Sequence, residues 1–223
     1  MLYPVNLDLS GRLIIVVGGG TVAERKVVGL LAADASVSVR VIAPQMTERL
    51  HAFAADERID WRNERYIRGS LEGAFLVYAA TDSPAINAEI AAEAKACGSL
   101  VNVIDDPHAS SFQVPSMLRR GDFLLTASTG GGSPALARAI RMELEQFYPP
   151  SFGMWLERAA ILRAKLQEEL PTSSARTEFW RTALHPDILN MIRCGELEKA
   201  EVELRHAALD IGAKSSHGSG RRA

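Results

Sequence analysis

Apolar and polar positions along this chain alternate in blocks rather than singly. Arg12 to Val17 (RLIIVV) is a continuous branched apolar run, as expected of a strand covered on both faces, and Gly18 to Gly20 end it. Thr21 to Ala33 then places Val22, Val27, Leu30 and Leu31 on one helical face, and Val37 to Ile42 (VSVRVI) supplies a second strand. The three segments make one βαβ unit of about 30 residues. Ile59 to Arg62, Ala74 to Ala79 and Leu100 to Ile104 read as further strands. Between the last two, Ser83 to Cys97 reads as an alanine-rich helix with Pro84 in its first turn and Gly98 just past its end.

After Pro107 the texture changes. Phe112 to Met117 and Asp122 to Ser128 (DFLLTAS) predict strands outside the βα alternation, separated by a turn over Arg119-Arg120-Gly121-Asp122. Ser133-Pro134 starts a helix that carries Leu136, Ile140, Leu144 and Phe147 as one stripe and ends at Tyr148, before Pro149-Pro150. From Ser151 onward only helices are expected, over 152–169, 174–184, 187–193 and 196–209, broken by Pro171, Pro186 and Gly195. The predicted fold is α/β: an N-terminal Rossmann-type parallel sheet (1–112), a small α+β segment (113–150), an all-α C-terminal module (151–212) and a frayed tail (213–223).

Composition narrows the function. With 223 residues, 47% of them hydrophobic, the chain can bury a sizeable core. A net charge of -2 gives no broad positive field for nucleic acid or a membrane surface, and neither partner is expected. Cys97 and Cys194 read as two reduced thiols rather than a disulfide framework. The start, MLYPVNLDLSGRL, lacks the features of a secretory signal and no apolar run reaches membrane-spanning length, so a cytoplasmic protein is expected.

The glycine turn carries the first chemistry. Gly18-Gly19-Gly20-Thr21-Val22-Ala23 fits G-x-G-x-x-A. Gly18 permits the tight turn, Gly20 lets backbone approach a pyrophosphate and Ala23 allows close helix–strand packing. Backbone amides and the helix N-terminus would hold the phosphates of a nicotinamide dinucleotide. The second strand ends Arg40-Val41-Ile42-Ala43-Pro44 without the acidic residue that usually grips the adenosine ribose. Arg40 fits either a 2′-phosphate site or a plain strand arginine, and the residues leave NAD and NADP open.

In such sheets ligands bind where successive strands end, which places Ala80-Thr81-Asp82 and Asn102-Val103-Ile104-Asp105 beside the nicotinamide. Asp105, Asp106 and His108 suit proton abstraction or a divalent cation, or form an ordinary loop. No metal-ligand spacing stands out. A second glycine-rich turn, Ser128-Thr129-Gly130-Gly131-Gly132-Ser133-Pro134, opens a helix with Arg138 and Arg141 one and two turns on. It suits anionic groups of a substrate, or a close dimer contact.

Taken in order, Tyr3-Pro4-Val5-Asn6-Leu7, Val16 to Lys26 (VVGGGTVAERK), Ala80-Thr81-Asp82, Asn102 to Asp105, Phe112 to Ser116 (FQVPS) and Ser128 to Pro134 closely resemble the precorrin-2 dehydrogenase family of siroheme synthesis. That family includes the N-terminal half of siroheme synthases. The likeness runs from about residue 3 to 148. It implies oxidation of precorrin-2 to sirohydrochlorin with NAD as acceptor, and some relatives then insert ferrous iron at the same site. It puts Asp105 on the catalytic aspartate, Thr21, Val22, Ile42 and Ala43 on cofactor-contact positions, and Ser128 and Thr129 in the loop near the tetrapyrrole. It also implies a homodimer built by 113–150, which agrees with an apolar stripe too exposed for a monomer. Only about 75 residues follow Pro149, so no methyltransferase module is expected. The same residues also fit two rivals: a dehydrogenase for another small molecule, and a non-enzymatic dinucleotide-sensing dimer.

Overall fold

A computed structural model describes residues 2–33, 36–169 and 172–218. The chain divides into two compact units, Met1–Val114 and Pro115–Ala223. The first contains β1 (Leu13–Val17), α1 (Thr21–Ala33), β2 (Ser38–Ile42), α2 (Glu48–Ala55), β3 (Asp60–Arg62), β4 (Leu76–Ala79), α3 (Pro84–Ala96) and β5 (Leu100–Val103). All five strands are parallel, in the order β3-β2-β1-β4-β5. This is the expected doubly wound sheet, and the reversal of strand order beside β1 leaves a crevice at its C-terminal edge.

The unbroken apolar run of β1 has a simple cause. Ile14 and Val16 enter one core with Ala23, Val27, Val39, Val41 and Leu50, while Ile15 and Val17 enter the opposite core with Ile42, Val77, Ile90 and Val101. Both faces of the strand are covered, so neither tolerates polar side chains. Lys26 on α1 is the half-buried exception. Its ammonium lies 5.2 Å from the centre of the Tyr78 ring, and burial, with Arg25 nearby, lowers its pKa. Burial also pushes the Tyr78 hydroxyl up to about 12.

Both sheet edges are closed by side chains. At β3, one Asp60 oxygen holds Arg40 Nε at 2.7 Å and an Arg62 nitrogen at 3.2 Å. At β5, the Ser111 and Ser110 hydroxyls accept from the Val101 and Val103 amides at 2.7 and 2.9 Å, as a sixth strand would.

The second unit contains β6 (Ser116–Arg120), β7 (Phe123–Ala127), α4 (Pro134–Phe147), α5 (Ser151–Glu169), α6 (Ser173–Ala183), α7 (Pro186–Arg193) and α8 (Leu197–Gly218). β6 and β7 form an antiparallel pair. Three boundaries differ from expectation. Phe112 packs edge-on against Tyr78 and belongs to the first unit, so the unit boundary falls two residues later than 112 and β6 starts only at Ser116. Arg119 and Arg120 lie in β6 rather than in the turn, because they pair with Leu124 and Phe123.

The third difference is at the C-terminus. Helical backbone continues to Gly218, six residues into the expected tail, and 219–223 lie outside the described residues.

The segments 113–150 and 151–212 were expected as separate modules, yet from Pro115 onward they form one unit. Phe123 on β7 joins Tyr148 and Phe152 in an aromatic cluster, with ring centres 5.0 to 5.5 Å apart. A Cβ on Gly153 would sit 2.5 Å from the Arg120 carbonyl oxygen, so α5 meets β6 at a distance only glycine permits. Behind this joint, Trp155, Phe179, Ile188, Ile192 and Leu204 form the helical core.

Candidate functional site

The crevice of the first unit is a cleft of about 970 Å³. Five stretches of chain form its walls. Val17 to Val22 come from the β1–α1 turn, Ile42 to Thr47 from the end of β2, Arg65 and Tyr66 from the segment after β3, Ala80 to Ser83 with Ile86 from the end of β4 and the start of α3, and Ile104 and Asp105 from the end of β5. Of the residues expected at a cofactor, Gly18, Gly20, Thr21, Val22, Ile42, Ala43, Thr81 and Asp82 are here, together with Asp105. Ala23 is fully buried beneath the turn, in keeping with its packing role.

The turn is tighter than its motif requires. Gly18 has φ +120°, and a Cβ there would lie 2.2 Å from the Ala80 carbonyl oxygen. A Cβ on Gly19 would lie 1.9 Å from the Gln45 carbonyl oxygen, and the Thr47 amide donates to the Gly19 carbonyl. The middle position, which the motif leaves free, is therefore obligatory glycine in this chain. Gly20 differs, because a Cβ on it would meet nothing within 4 Å. Its open side at the start of α1 is the cradle that a dinucleotide pyrophosphate fits.

Two buried polar side chains on α3 set the walls, and neither stood out in the sequence. Asn87 accepts from the Thr81 amide at 3.1 Å and hydroxyl at 2.7 Å, and donates to the Thr81 carbonyl at 3.0 Å. Glu93 accepts from the Tyr66 hydroxyl at 2.6 Å and from the Gly69 and Leu71 amides, each at 3.0 Å. One helix thus grips the loop after β4 and the segment after β3. Burial works against ionising Glu93, but the hydrogen bonds from Tyr66, Gly69 and Leu71, with Arg68 nearby, outweigh it and lower its pKa. Burial and the bond to Glu93 raise the pKa of Tyr66.

Asp105 is exposed in the cleft and has φ +55°, a left-handed conformation uncommon outside glycine, asparagine and aspartate. Asp106 holds the turn behind it. Its Oδ1 accepts from the His108 and Ala109 amides at 3.0 and 2.9 Å, while its own amide donates to the Val103 carbonyl. Asp106 and His108 do not line the cleft. Nor does Asn102, whose amide donates to the Phe112 carbonyl at 3.1 Å. No cluster of three or more His, Cys, Asp or Glu suited to a metal occurs among the described residues.

Ser128, Thr129, Gly130 and Arg138 belong to the second unit. Ser128 and Thr129 organise the turn itself: the Ser128 hydroxyl accepts from the Gly130 amide, and the Thr129 hydroxyl from the Ser133 amide. Ser133 caps α4 by accepting from the Leu136 amide. Arg138 is exposed one turn on, and Arg141 pairs with Glu145.

Comparison with known proteins agrees with this geometry. The family model described as "Putative NAD(P)-binding" matches residues 5–116, and one described as "Sirohaem synthase dimerisation region" matches 151–208. The second match falls on α5 to α8, not on the 113–150 segment expected to build a dimer. The chain is 37% identical to a siroheme synthase of Nitrosococcus oceani over 94% of its length, and 35% identical to one of Mannheimia succiniciproducens over 91%. It spans only 44% and 42% of those proteins. A solved structure of SirC, a precorrin-2 dehydrogenase, superposes with a TM-score of 0.72 at 25% identity, covering 94% of this chain and 98% of that one. No helix is long and apolar enough to cross a membrane among the described residues.

Proposed function

Because the chain belongs to the NAD(P)-binding family whose model spans residues 5–116, we propose that it is an NAD-dependent dehydrogenase that oxidises precorrin-2 to sirohydrochlorin in siroheme biosynthesis. The observation that carries this reading is Asp105, an aspartate in a left-handed conformation on the same cleft as the glycine turn. A carboxylate beside a dinucleotide site is the arrangement an oxidation by hydride and proton removal needs.

In this reading the amides of the Gly18–Thr21 turn and the N-terminus of α1 hold the pyrophosphate, with Val22 alongside. Ile42 and Ala43 flank the adenosine ribose, and Thr81 and Asp82 border the nicotinamide. NAD, when bound, supplies the acceptor for the hydride. Asp105 takes the accompanying proton from the macrocycle. The Ser128–Gly130 turn and Arg138 of the second unit offer hydroxyls, amides and a guanidinium suited to precorrin carboxylates, whereas the Asn102 amide is already held by the Phe112 carbonyl. Ferrous iron is the substrate of a second step, in which Asp105 takes pyrrole protons displaced by the metal.

The protein acts in the cytoplasm as a homodimer. Support for the dimer comes first from the match of α5 to α8 to a dimerisation region, and second from α4, where Leu136 and Phe147 are 53% and 50% exposed and Ile140 lies open between them, a face that a second copy would cover.

Anaerobic incubation with enzymatically made precorrin-2, and with NAD, NADP or neither, tests the reading by the absorbance of sirohydrochlorin, followed by addition of ferrous iron. NAD-dependent formation is expected. Asp105→Asn should lower turnover by about 10²- to 10⁴-fold while NADH still binds. Protein that binds NADH yet turns over no precorrin-2 with either cofactor would end the dehydrogenase reading.

A further inference from the structure

Below the cleft, on the face of β2 that carries Arg40 and Ile42, lies a second cavity of about 380 Å³. Arg40, Ile42, Arg62, Glu64, Ser70 and Glu72 line it, and Ile42 also lines the dinucleotide cleft, so the two spaces adjoin at that side chain. The junction is held firmly. The Ala43 amide donates to the Arg62 carbonyl at 3.1 Å, and Trp61 Nε1 donates to the Ala43 carbonyl at 2.9 Å, which fastens β3 to the last residues of β2.

The end of β2 is where a Rossmann domain reads the adenosine ribose, with an acid for a free 2′-hydroxyl or an arginine for a 2′-phosphate. Ile42-Ala43-Pro44 offers neither. On that face of β2 the cation is Arg40, two residues back from Ile42 and about 6.7 Å along the strand, a distance an arginine side chain spans, while Arg65 lines the cleft from the segment after β3. It is not turned to that use, because Asp60 holds Arg40 Nε at 2.7 Å and Arg62 at 3.2 Å. The cavity lining sets the guanidiniums of Arg40 and Arg62 against the carboxylates of Glu64 and Glu72, and Asp60, paired with both arginines, adds a third negative charge beside it. A dianionic 2′-phosphate entering here would meet a net negative charge and two arginines already bound.

We propose that Asp60 is the residue that sets the choice between NAD and NADP, by tying Arg40 and Arg62 away from the adenosine ribose and so rejecting the 2′-phosphate. The proposal rests on the dinucleotide site described above and is independent of what the enzyme oxidises. Asp60 acts through the two arginines, which makes it a specificity-determining rather than a catalytic residue.

Fluorescence titration of the intact protein with NADH and with NADPH, at fixed ionic strength, tests it without any turnover. The expected result is at least about tenfold tighter binding of NADH by the natural protein. Asp60→Asn should shift the NADPH-to-NADH affinity ratio toward NADPH by about tenfold, Asp60→Ser should do the same, and adding Arg40→Ala to Asp60→Asn should cancel most of the shift. A ratio that stays within about twofold of the natural protein in both Asp60 variants, while NADH still binds, would overturn the proposal and leave the dinucleotide site standing. A natural protein that binds neither NADH nor NADPH would overturn both.

Discussion

The two glycine-rich turns invite comparison, since each carries a strand into the N-terminus of a helix. Around Gly18 to Gly20 the glycines are forced by neighbours: the carbonyls of Ala80 and Gln45 stand where Cβ atoms would be. Around Gly130 and Gly132 the space is open, the closest approach being 3.2 Å from Gly132 to the carbonyl of Thr129 within the same turn, and it is the positive φ of Gly130 and Gly131 that favours glycine there. The first turn is wedged between two other loops and helps build a cleft. The second is shaped from within, by the Ser128 and Thr129 hydroxyls, and leads into a helix whose apolar face is bare. Similar glycine composition thus serves a cleft for a small molecule in one unit and an exposed face in the other.

This contrast can be broken from either side. The largest effect is expected at Gly19→Ala, where backbone must move to admit the methyl group. Thermal unfolding should show a loss of about 3 kcal/mol and titration should show loss of NADH binding. Gly20→Ala should keep the stability and still weaken NADH, which separates the forced glycine from the one that faces the ligand. Next comes Ile140→Glu on α4, which should leave a folded protein and shift sedimentation toward the monomer. A dimer that persists would mean that α4 is not the contact.

A smaller effect concerns Glu93, the grip beneath the first turn's cleft. Its pKa is lower in the folded protein than in the unfolded chain. Its contribution to stability is therefore complete above the ordinary carboxylate value and is lost as the pH falls through the lowered native one. Denaturation midpoints measured from neutral pH into acid should fall less steeply in Glu93→Gln than in the natural protein. The smallest change is Ser133→Ala, which removes the cap of α4 and should cost about 1 kcal/mol, read by chemical denaturation, without altering NADH binding.

Local rules made the parallel sheet and the glycine turn legible. The apolar run of β1, the glycines at its end and the helical face of α1 each state their role within a few residues. Asp105 could be named because sheet topology fixes where strand ends converge. The grips of Asn87 and Glu93 could not be read in the same way. They sit in an alanine-rich helix that looks like packing alone, and their partners lie 6 and 22 to 27 residues away. Arg65 and Tyr66 were hidden for a related reason, since the segment after β3 has no period and takes its course from Glu93. The start of β6 was misplaced because Phe112 is apolar enough for a strand but is spent on Tyr78.

The two serines on the outer edge of β5 bear on how the protein survives at high concentration. An open strand edge is a template on which any extended chain can add, and aggregation often begins there. Here the Val101 and Val103 amides already donate to hydroxyls of the same chain, and Ser111 returns its own amide to the Val101 carbonyl. At the opposite edge β3 is only three residues long and bristles with charge. The sheet therefore offers a newcomer few free backbone groups on either side. What would obstruct the addition of a further strand is Ser110, Ser111 and a knot of charges at β3, not the apolar core that gives the sheet its strength.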